Sequence, residues 1–539
     1  MNQATRILDK HGKPYPRNRV LASGYSHSAA NLTKPIFKDW EWRGGSPDDD
    51  IVSNLSVIRQ RSRQLGMDAP VIKGLYNTLV TNIVGDGLRP EPTPDAEYLG
   101  MTREQSNAWK SNVLRLWEAF AESTGCDASR ENNFYELQRL ACWAQFESGD
   151  VFVTMPRFRR GNELFALKAQ VIEADCVADP DSIERQEFEK LGYDCYGGVE
   201  RTKWGNVAGY WFYTGHPLAI RRRAGFRYHD HEWPRWFYIP AYGAETGLPN
   251  ILHLMEAQRP GQRRGVPMIA PIIPLILVLD RYVKAEVIAA EVQSLFTVMI
   301  ESETPEAMAG QFAASEGDSN SDPETEIGLG PGIIQFLRPG DKASAFNPSR
   351  PTTAFAHFIE SVLQMMGPAV SMPYEVLVQK YQSSYSASQA AMNHARANFK
   401  VKRTAFNNDF NQPIYEALID EAVARGMLDA PGYFDNPLTR RALTRAKWAG
   451  PAMLGIDALK DVRAGIERVT MGFSTAAEVC AELTGGDYTE NLSVRAREID
   501  AARAAGLLPA VAQGLTDATA INAVESQDED GEENADAED

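Results

Sequence analysis

The stretch that decides the fold runs from Arg259 to Ser302 and reads RPGQRRGVPMIAPIIPLILVLDRYVKAEVIAAEVQSLFTVMIES. It begins with a turn of glycine, proline and arginine. Apolar residues then recur three and four positions apart from Ile269 to Leu295, which is typical of an α-helix. Prolines lie near the start of this pattern, where a missing N–H costs least. About thirty helical residues predict a rod roughly 45 Å long, and such a rod indicates a structural span rather than a catalytic site.

The residues after this rod predict a helical hairpin with a small tip. The first half of 303–351 is rich in Gly, Ser and acidic residues and predicts a mobile tip, in which 332–337 is a short strand. A second helical pattern covers 353–370. The segment 371–385 is loop-like, and Ser386 is the predicted N-cap of a third helical run.

The rest of the chain predicts a helical region, a β-rich region and a second helical region. Helical patterns cover 51–85, 103–123 and 132–149. From residue 150 to about 245 the apolar period changes to two, which predicts four or five short strands in a small barrel or sandwich. Residues 386–520 are helical again, with glycines at the expected helix ends. The fold class is therefore α+β.

Composition and charge limit the classes of function. Hydrophobic residues make up 43% of the 539 residues, enough for sizeable cores, and the formal net charge is −17. The segment 525–539 has nine acidic residues and no basic one, so the remainder carries −8. An acidic body disfavours tight wrapping of DNA and suits a surface that DNA passes, and simple solubility is the alternative explanation.

Cysteines and catalytic motifs give no sign of an active site. Five cysteines without a CxxC pair predict free thiols rather than zinc or disulfides. The sequence has no P-loop, HExxH or GxSxG motif, so we predict no catalytic residues, no cofactor and no metal. The cluster His229-Asp230-His231-Glu232 resembles a metal site, but its aromatic and proline neighbours favour a loop. A solvated hairpin or salt bridges between subunits are favoured over phosphate contacts for Arg221, Arg222, Arg223 and Arg227.

Several segments, in family order, resemble the lambda family of phage portal proteins. The most specific are RPGQRRGVP at 259–267 with its rod, SYSASQAAMNHAR at 384–396, and GIDALKDVRAGIERVTMGFSTAAEVCAELTGGDY at 455–488. Earlier pieces that agree lie at 58–94, 138–153 and 171–175. The resemblance spans about residues 50–510. The sequence departs from the family at Gln389, where an arginine is usual, and at Ala458, where a proline is expected.

The resemblance implies a portal-type subunit with a helical and β-rich wing, a two-helix stem, a small β-containing clip and a helical crown, assembled into a ring. In residue ranges it implies a flexible N-terminal arm at 1–50, the wing at 51–258, the turn and first stem helix at 259–302, the clip at 303–351, the second stem helix at 352–370, a channel loop at 371–385, the long helix and crown at 386–524, and a disordered acidic tail at 525–539.

The resemblance also implies the function and the partners. Twelve copies would form a ring at one capsid vertex, through which double-stranded DNA is packaged and ejected. The ring would contact the terminase large subunit, the major capsid and scaffold proteins, and later the head-completion or tail adaptor proteins, but no membrane. It would assemble in the host cytoplasm and remain in the virion.

Two sets of residues are the functional candidates. If the loop faces a channel, the residues that can contact DNA are Gln379, Lys380, Tyr381, Gln382, Ser383, Ser384 and Tyr385, and an ordinary surface loop is the alternative. At the base of the rod, the residues of the turn and of subunit packing are Arg259, Gly261, Gln262, Arg263, Arg264 and Gly265. The arginines would pair with acids of the next subunit or bind local loop carbonyls, and both glycines would supply the freedom in φ for a sharp turn.

Two other classes of function stay open from the residues alone. A nuclease or hydrolase would use paired carboxylates, and the pairs to test are Glu147 with Asp150 and Glu173 with Asp175. A helical scaffold or membrane-surface protein would use the rod. Its strongest apolar run, 268–279, is twelve residues long and interrupted by prolines, which is too short to span a bilayer.

Overall fold

A computed structural model describes residues 44–180, 185–217, 236–295, 298–300, 334–336, 354–381, 384–452, 458–486 and 488–505. The longer helices in these ranges are α1 (Pro47–Asp68), α2 (Pro70–Ile83), α3 (Arg103–Ala121), α4 (Phe134–Ser148), α5 (Ile273–Leu295), α6 (Ala354–Ala369), α7 (Tyr385–Phe406), α8 (Gln412–Ala424), α9 (Pro437–Leu443), α10 (Ala458–Thr470), α11 (Ala476–Thr484) and α12 (Tyr488–Ala504). Shorter helices lie at Ala96–Leu99, Arg185–Lys190 and Tyr374–Leu377.

The strands are β1 (Arg89–Pro92), β2 (Asp150–Thr154), β3 (Gln170–Ile172), β4 (Asp194–Tyr196), β5 (Val199–Arg201), β6 (Val207–Tyr213), β7 (Trp236–Pro240), β8 (Ile251–Met255), β9 (Val298–Ile300), β10 (Ile334–Phe336) and β11 (Ala446–Ala449). Helices and several small sheets together confirm the α+β class predicted from the sequence.

Helices α1 to α4 pack on one another and begin where local sequence rules place them. Ser46, Thr102 and Asn133 each form a capping box with the residue three positions later. Pro70 is the first residue of α2, a position at which no backbone N–H is needed for a helical hydrogen bond. It marks the boundary between α1 and α2. The core of this layer centres on Trp117, which is 1% exposed and touches aromatic rings from both halves of the chain.

Two antiparallel sheets follow these helices, with the strand orders β3-β2-β8 and β4-β5-β6-β7. Phe152, Tyr210 and Phe212 pack between the two sheets. The centres of the Tyr210 and Phe212 rings lie 5.4 and 6.1 Å from the centre of the Phe152 ring. The period-two region therefore forms strands as predicted, but more of them than the predicted four or five. The last one, β8, lies beyond residue 245 and pairs along the whole of β2.

The rod is shorter than its apolar pattern predicted. A 3₁₀ turn at Ala270–Ile272 precedes α5, which has 23 residues and is therefore about 34 Å long. Pro271 lies within that turn and Pro274 within the first turn of α5, and prolines are tolerated only where no helical N–H bond is needed. At the other end, Val298–Ile300 is a strand that pairs in parallel with Ile334–Phe336.

Helix α6 returns beside α5, as the hairpin pattern predicted. The ring of Tyr282 in α5 lies 5.6 Å from Phe355 and 4.5 Å from Phe358 in α6. The bounds of α6 differ from the predicted 353–370 by one residue at each end. The predicted strand in the tip is confirmed at Ile334–Phe336, and the rest of 303–351 lies outside the described residues.

The final third is helical with one exception. Helix α7 continues through a π-helical turn, Asn407–Asn411, into α8. Gly426 and Gly472 have φ of 69° and 74° after helix ends, as the stop pattern predicted. The prediction of helix throughout 386–520 was wrong at Ala446–Ala449, because this segment pairs with β1, which only tertiary structure brings beside it.

Several predicted features lie outside the described residues. They are residues 1–43 of the arm predicted at 1–50, the arginines at 221–223 and 227, the cluster at 229–232, Gln382, Ser383, and the acidic segment 525–539. The prediction of a flexible arm was wrong for residues 47–50, because they form the first turn of α1, capped by Ser46. No helix among the described residues is both long enough and apolar enough to cross a bilayer.

Candidate functional site

The turn at the base of α5 encloses a buried carboxylate, Asp150, at the start of β2. Its Oδ1 accepts from Arg59 Nη2 at 2.5 Å, and its Oδ2 accepts from Arg264 Nε at 2.7 Å. The backbone N–H of Gly265 donates to Oδ2 at 3.0 Å, and His253 Nε2 lies 3.2 Å from the same oxygen. Asp150 is 0% exposed, so all of these contacts are made away from water.

Arg264 uses all five of its N–H donors within its own chain. Besides Asp150, its guanidinium donates to the carbonyl oxygens of Val177, Gly197 and Ala174 at 2.7, 2.6 and 2.7 Å. It also lies 5.1 Å from the centre of the Phe152 ring. One side chain thereby joins the turn, both sheets and the start of β2, which is the bonding capacity that distinguishes arginine from lysine.

Gly265 is required for close approach rather than for an unusual backbone angle. A Cβ at this position would lie 1.9 Å from the carbonyl oxygen of Gly149. Its φ is not in the left-handed region, so the prediction that both turn glycines supply freedom in φ was wrong for Gly265 and is confirmed for Gly261, at φ 81°. The two chain segments meet here backbone to backbone, with no room for a side chain.

The other residues of the turn are also bonded within the chain. Arg263 is 8% exposed, donates to the carbonyl oxygen of Asp194 at 2.7 Å, and pairs with Asp48 at 2.9 Å. Gln262 donates to the carbonyl oxygen of Arg264 at 2.7 Å and accepts from two backbone N–H groups of the turn. Of the two alternatives for the arginines, binding of local carbonyls is the one that the contacts of Arg263 and Arg264 match.

Arg259 differs from these residues because it is accessible. Its Nη1 lies 2.6 Å from Asp50 Oδ2, and the two side chains are 44% and 45% exposed. The pair joins the turn to the start of α1. An exposed pair of this kind contributes at most about 1 kcal/mol and can exchange partners with a neighbouring surface.

Asp150, Arg59, Arg264 and His253 form a buried cluster, the Asp150 centre. The pKa shifts of its members indicate a structural role. Burial raises the pKa of Asp150, but Arg264 and Arg59 outweigh it and hold the pKa well below its usual range. Burial lowers the pKa of Arg59 to about 10, so that its guanidinium stays charged at neutral pH. Burial also lowers the pKa of His253, whose ring is therefore neutral at pH 7.

The carboxylate pairs that an enzyme would use are engaged in structural contacts. Asp150 is closed to any substrate, and burial raises the pKa of its sequence neighbour Glu147. Arg63 binds both acids of the other pair, with its Nη2 2.9 Å from Glu173 and its Nη1 on Asp175. Together with His216, these two acids have ligand atoms within 4.8 Å of one another, as a metal site would, but Arg63 already pairs with both of them and Arg59 Nη1 lies 3.9 Å from Asp175.

The segment predicted as a channel loop is anchored at both ends and exposed at its tip. Ser371 has φ 52° and its carbonyl oxygen accepts from Asn398 Nδ2 at 3.0 Å. Gln379 has φ 55° after the short helix Tyr374–Leu377, and the N–H of Lys380 donates to the carbonyl oxygen of Glu375 at 3.0 Å. These bonds close the helix end in the manner of a Schellman motif, in which the left-handed position is usually glycine.

Lys380 and Tyr381, the last described residues before the gap at 382–383, are both exposed. Lys380 forms no ion pair within the described part of the chain, and Tyr381 is 50% exposed. Ser384, and not Ser386 as predicted, is the N-cap of α7, because its Oγ accepts from the N–H of Ala387 at 3.4 Å. The helix thus begins two residues earlier than an N-cap at Ser386 predicts, at Tyr385.

Sequence reasoning missed Arg59 and His253. Arg59 lies on the buried face of α1 in register with Leu55 and Ser62, and an arginine within an apolar helical stripe is a usable signal of a buried ion pair. His253 lies inside the apolar strand β8, which offers a weaker signal of the same kind. Neither position identifies its partner Asp150, which is distant in sequence.

Comparison with known proteins identifies the family. A family model described as "Phage portal protein, lambda family" matches residues 33–403, more than half of the chain. The portal protein of Escherichia phage N15 is 25% identical over 494 residues, covering 88% of this chain and 89% of the relative. Portal protein B of Escherichia phage lambda is 24% identical over 490 residues, covering 87% and 85%.

A solved structure of the virion of a native gene transfer agent particle contains a chain that is 13% identical, with a TM-score of 0.38. The match covers 80% of this chain and 99% of that one. On the strength of the family model, whose match includes the Asp150 centre, the turn, α5, α6 and most of α7, this chain belongs to the lambda family of phage portal proteins.

Proposed function

We propose that copies of this chain form a closed ring at one vertex of a phage capsid, and that double-stranded DNA enters and leaves the capsid through the ring. The family match over residues 33–403 carries this proposal. The ring would be a structural part of the virion, assembled from twelve copies in the host cytoplasm. Its work would be mechanical: it holds a channel open, and no bond is made or broken by its own side chains.

The apolar outer surface of α5 supports packing between neighbouring copies. Leu277, Val278, Val287 and Ile288 are 43%, 52%, 52% and 58% exposed on this helix. Val278 and Val287 are nine positions apart and lie on opposite sides of the helix, so these residues would be covered when equivalent helices pack on both sides of each copy around a closed ring. The charged positions between these residues, such as Asp280 and Lys284, favour a protein neighbour over lipid.

We assign the parts of the subunit by the same proposal. Residues 51–258 would be the wing, α5 and α6 the two stem helices, 303–351 the clip, and α7 with the following helices the crown. The Asp150 centre would then be the joint that fixes the stem to the wing, since Arg264 bonds to both sheets and leads directly into the 3₁₀ turn before α5. A rigid joint at this point would keep all stem helices of the ring at one angle.

The same proposal gives partners to two surfaces. The clip would dock the terminase large subunit during packaging and the head-completion or tail adaptor proteins afterwards. The wing would contact the major capsid and scaffold proteins. Arg259 with Asp50, exposed at the base of the stem, is the candidate pair for exchange with a neighbouring copy.

The loop from Gln379 to Tyr385 is the candidate for contact with DNA in the channel. The exposed Lys380 supports this role, because a lysine without an ion-pair partner in the described chain is available for a phosphate. We expect Lys380→Ala to leave ring assembly unchanged and to lower packaging yield or retention of DNA in filled heads. The matched control is Lys400→Ala, an exposed lysine on α7 behind the loop. Wild-type yield with stable full heads would remove the loop from the DNA path.

The ring itself is tested by the native mass of the purified protein. Twelve copies of 59.7 kDa give about 720 kDa, which light scattering or native mass spectrometry resolves from smaller species. Negative-stain images should show a central hole. A species that remains a monomer or dimer at high concentration and over a range of salt would contradict the proposal and return attention to an enzymatic role.

A further inference from the structure

A basic cavity in the final third of the chain has no part in the proposed channel. It has a volume of about 560 Å³ and lies between α8, α9 and β11. Four of its lining residues are basic and one is acidic, and these five are Arg440, Arg441, Arg445, Lys447 and Glu416. The lining residues alone carry a net charge of +3 (four basic minus one acidic), and although Asp420, Asp95 and Glu478 outside the lining pair with three of the cations, two of these ion pairs are exposed, so the cavity is a candidate anion site.

The four cations differ in how firmly they are held. Arg440 is fixed at the floor, because its Nε donates to Asp420 at 2.8 Å and its Nη1 lies 3.2 Å from Glu416. Arg445 pairs with Asp95 at 3.1 Å through side chains that are 58% and 39% exposed. This exposed ion pair is weak enough for another carboxylate to replace Asp95 as the partner of Arg445.

The remaining two cations line the rim. Lys447 pairs with Glu478 at 2.8 Å, and the side chains are 61% and 45% exposed. Arg441 is exposed and forms no ion pair with any residue that the structure describes. The rim therefore has one guanidinium without an ion pair among the described residues, that of Arg441. It also has two ion pairs that solvent can reach, Arg445 with Asp95 and Lys447 with Glu478.

We propose that this cavity binds the acidic segment 525–539 of the same chain. The segment carries nine carboxylates and no basic residue, which complements the rim in charge. The cavity also lies within its reach. Glu478 of α11 pairs with the rim residue Lys447, α12 packs against α11, and the last described residue is 505. Twenty further residues span up to about 66 Å when extended, and the tether gives the segment a high effective concentration.

The size of the cavity favours a peptide over a duplex. A volume of 560 Å³ corresponds to a cube about 8 Å on a side, whereas the major groove of B-DNA alone is about 12 Å wide. Cavities of this size hold small ligands or a few side chains. Carboxylates of an extended segment can enter singly, and each can meet a different rim cation.

The proposal is tested by zero-length carbodiimide cross-linking of the full chain, which joins Lys447 to a carboxylate that contacts it. Mass spectrometry of an equal mixture of ¹⁵N-labelled and unlabelled protein separates links within a chain from links between copies. We expect links from Lys447 to residues of 525–539 within one chain, besides the link to Glu478. Their yield should fall about tenfold in Arg441→Glu/Arg445→Glu, since two attractions become repulsions.

The control is Arg61→Glu/Arg103→Glu, two exposed arginines that do not line the cavity, and it should leave the yield unchanged. Links from Lys447 to Glu478 alone would overturn the proposal. So would links to the acidic segment that occur only between copies, or that persist at full yield in Arg441→Glu/Arg445→Glu. If a short DNA duplex binds the wild type and loses binding in that variant, while no link to the segment forms, the cavity is a nucleic-acid site and the proposal is wrong.

Discussion

Replacement of Asp150 by asparagine should strongly destabilise the region that joins the sheets to α5. Asparagine has nearly the same shape as aspartate, so the change removes the charge and leaves the packing in place. Arg264, which is 2% exposed, would then have no carboxylate partner among the described residues, and Arg59, which is 3% exposed, would keep only Asp175, whose Oδ1 lies 3.9 Å from its Nη1. The loss is therefore electrostatic and comes from buried cations that have lost their counter-charge.

The expected magnitude follows from the burial of all three partners. Removing one member of a buried ion pair costs about 3–5 kcal/mol, a large share of the roughly 5–15 kcal/mol that stabilises a domain. For a region of about 200 residues, each kcal/mol shifts the melting temperature by about 2–4 °C. Asp150→Asn should therefore melt about 6–20 °C below the wild type.

The assay is thermal unfolding followed by circular dichroism at one protein concentration and one scan rate, because assembly and irreversibility both affect the apparent melting temperature. Asp50→Asn is the matched control, since it removes an acid from the exposed pair with Arg259 and should shift the melting temperature by less than about 4 °C. If Asp150→Asn and Asp50→Asn melt within 2 °C of each other, the buried centre does not hold this region together.

The pH dependence gives a second check with a definite sign. The pKa of Asp150 is lower in the folded state than in the unfolded state, where it is about 3.9. Its contribution is therefore fully present above pH 4 and is lost only as the pH falls toward the folded value. The difference in stability between wild type and Asp150→Asn should be constant from pH 7 to pH 5 and should narrow below pH 4. A difference that already narrows at pH 6 would contradict the assignment.

Three further changes separate alternatives that the structure distinguishes. Gly265→Ala should prevent folding, because its Cβ would lie 1.9 Å from a backbone oxygen. Gly261→Ala faces open space and should lower the free energy of unfolding by only about 1–2 kcal/mol through backbone strain. Soluble yield and urea unfolding measure the effect of each variant. Ser384→Ala should cost about 1 kcal/mol as the loss of an N-cap, and Ser386→Ala should cost clearly less in the same urea unfolding. Burial lowers the pKa of His253 in the folded state. The contribution of its neutral ring to stability is therefore present above the unfolded pKa of about 6.5 and is lost as the pH falls toward the folded pKa. In His253→Gln, stability should decline less between pH 6.5 and pH 5 than in the wild type.

The parts of the fold that sequence predicts well are those governed by neighbours in the chain. The helix starts predicted at 103 and 132 lie within two residues of the observed starts at Arg103 and Phe134, where Thr102 and Asn133 form capping boxes that are complete within four positions. The start predicted at 51 lies four residues after the observed start at Pro47. The change of period at Asp150 locates β2 for the same reason, because alternation is a property of the strand itself.

The parts that sequence reasoning placed wrongly depend on a distant partner. Segment Ala446–Ala449 is a strand only because Arg89–Pro92 lies beside it, and nothing local in its four residues requires that pairing. Gly265 looks like a turn glycine, and its actual constraint is the carbonyl of Gly149, more than a hundred positions away. Both cases are tertiary contacts that override or replace a local preference.

The proposed function depends on many copies of the chain in one ring. For this reason, a single loop residue in the sequence gives little indication of contact with DNA. One lysine near a phosphate releases about one counterion, and at physiological salt its attraction to phosphates farther away than a Debye length of about 8 Å is largely screened. The same Lys380, repeated in twelve copies at one height of a ring, would form a collar that DNA meets at every position along its path. Each contact stays weak enough to break as the DNA advances. An exposed turn with one positive charge therefore suits a conduit better than a dense basic groove, which would hold the DNA in place.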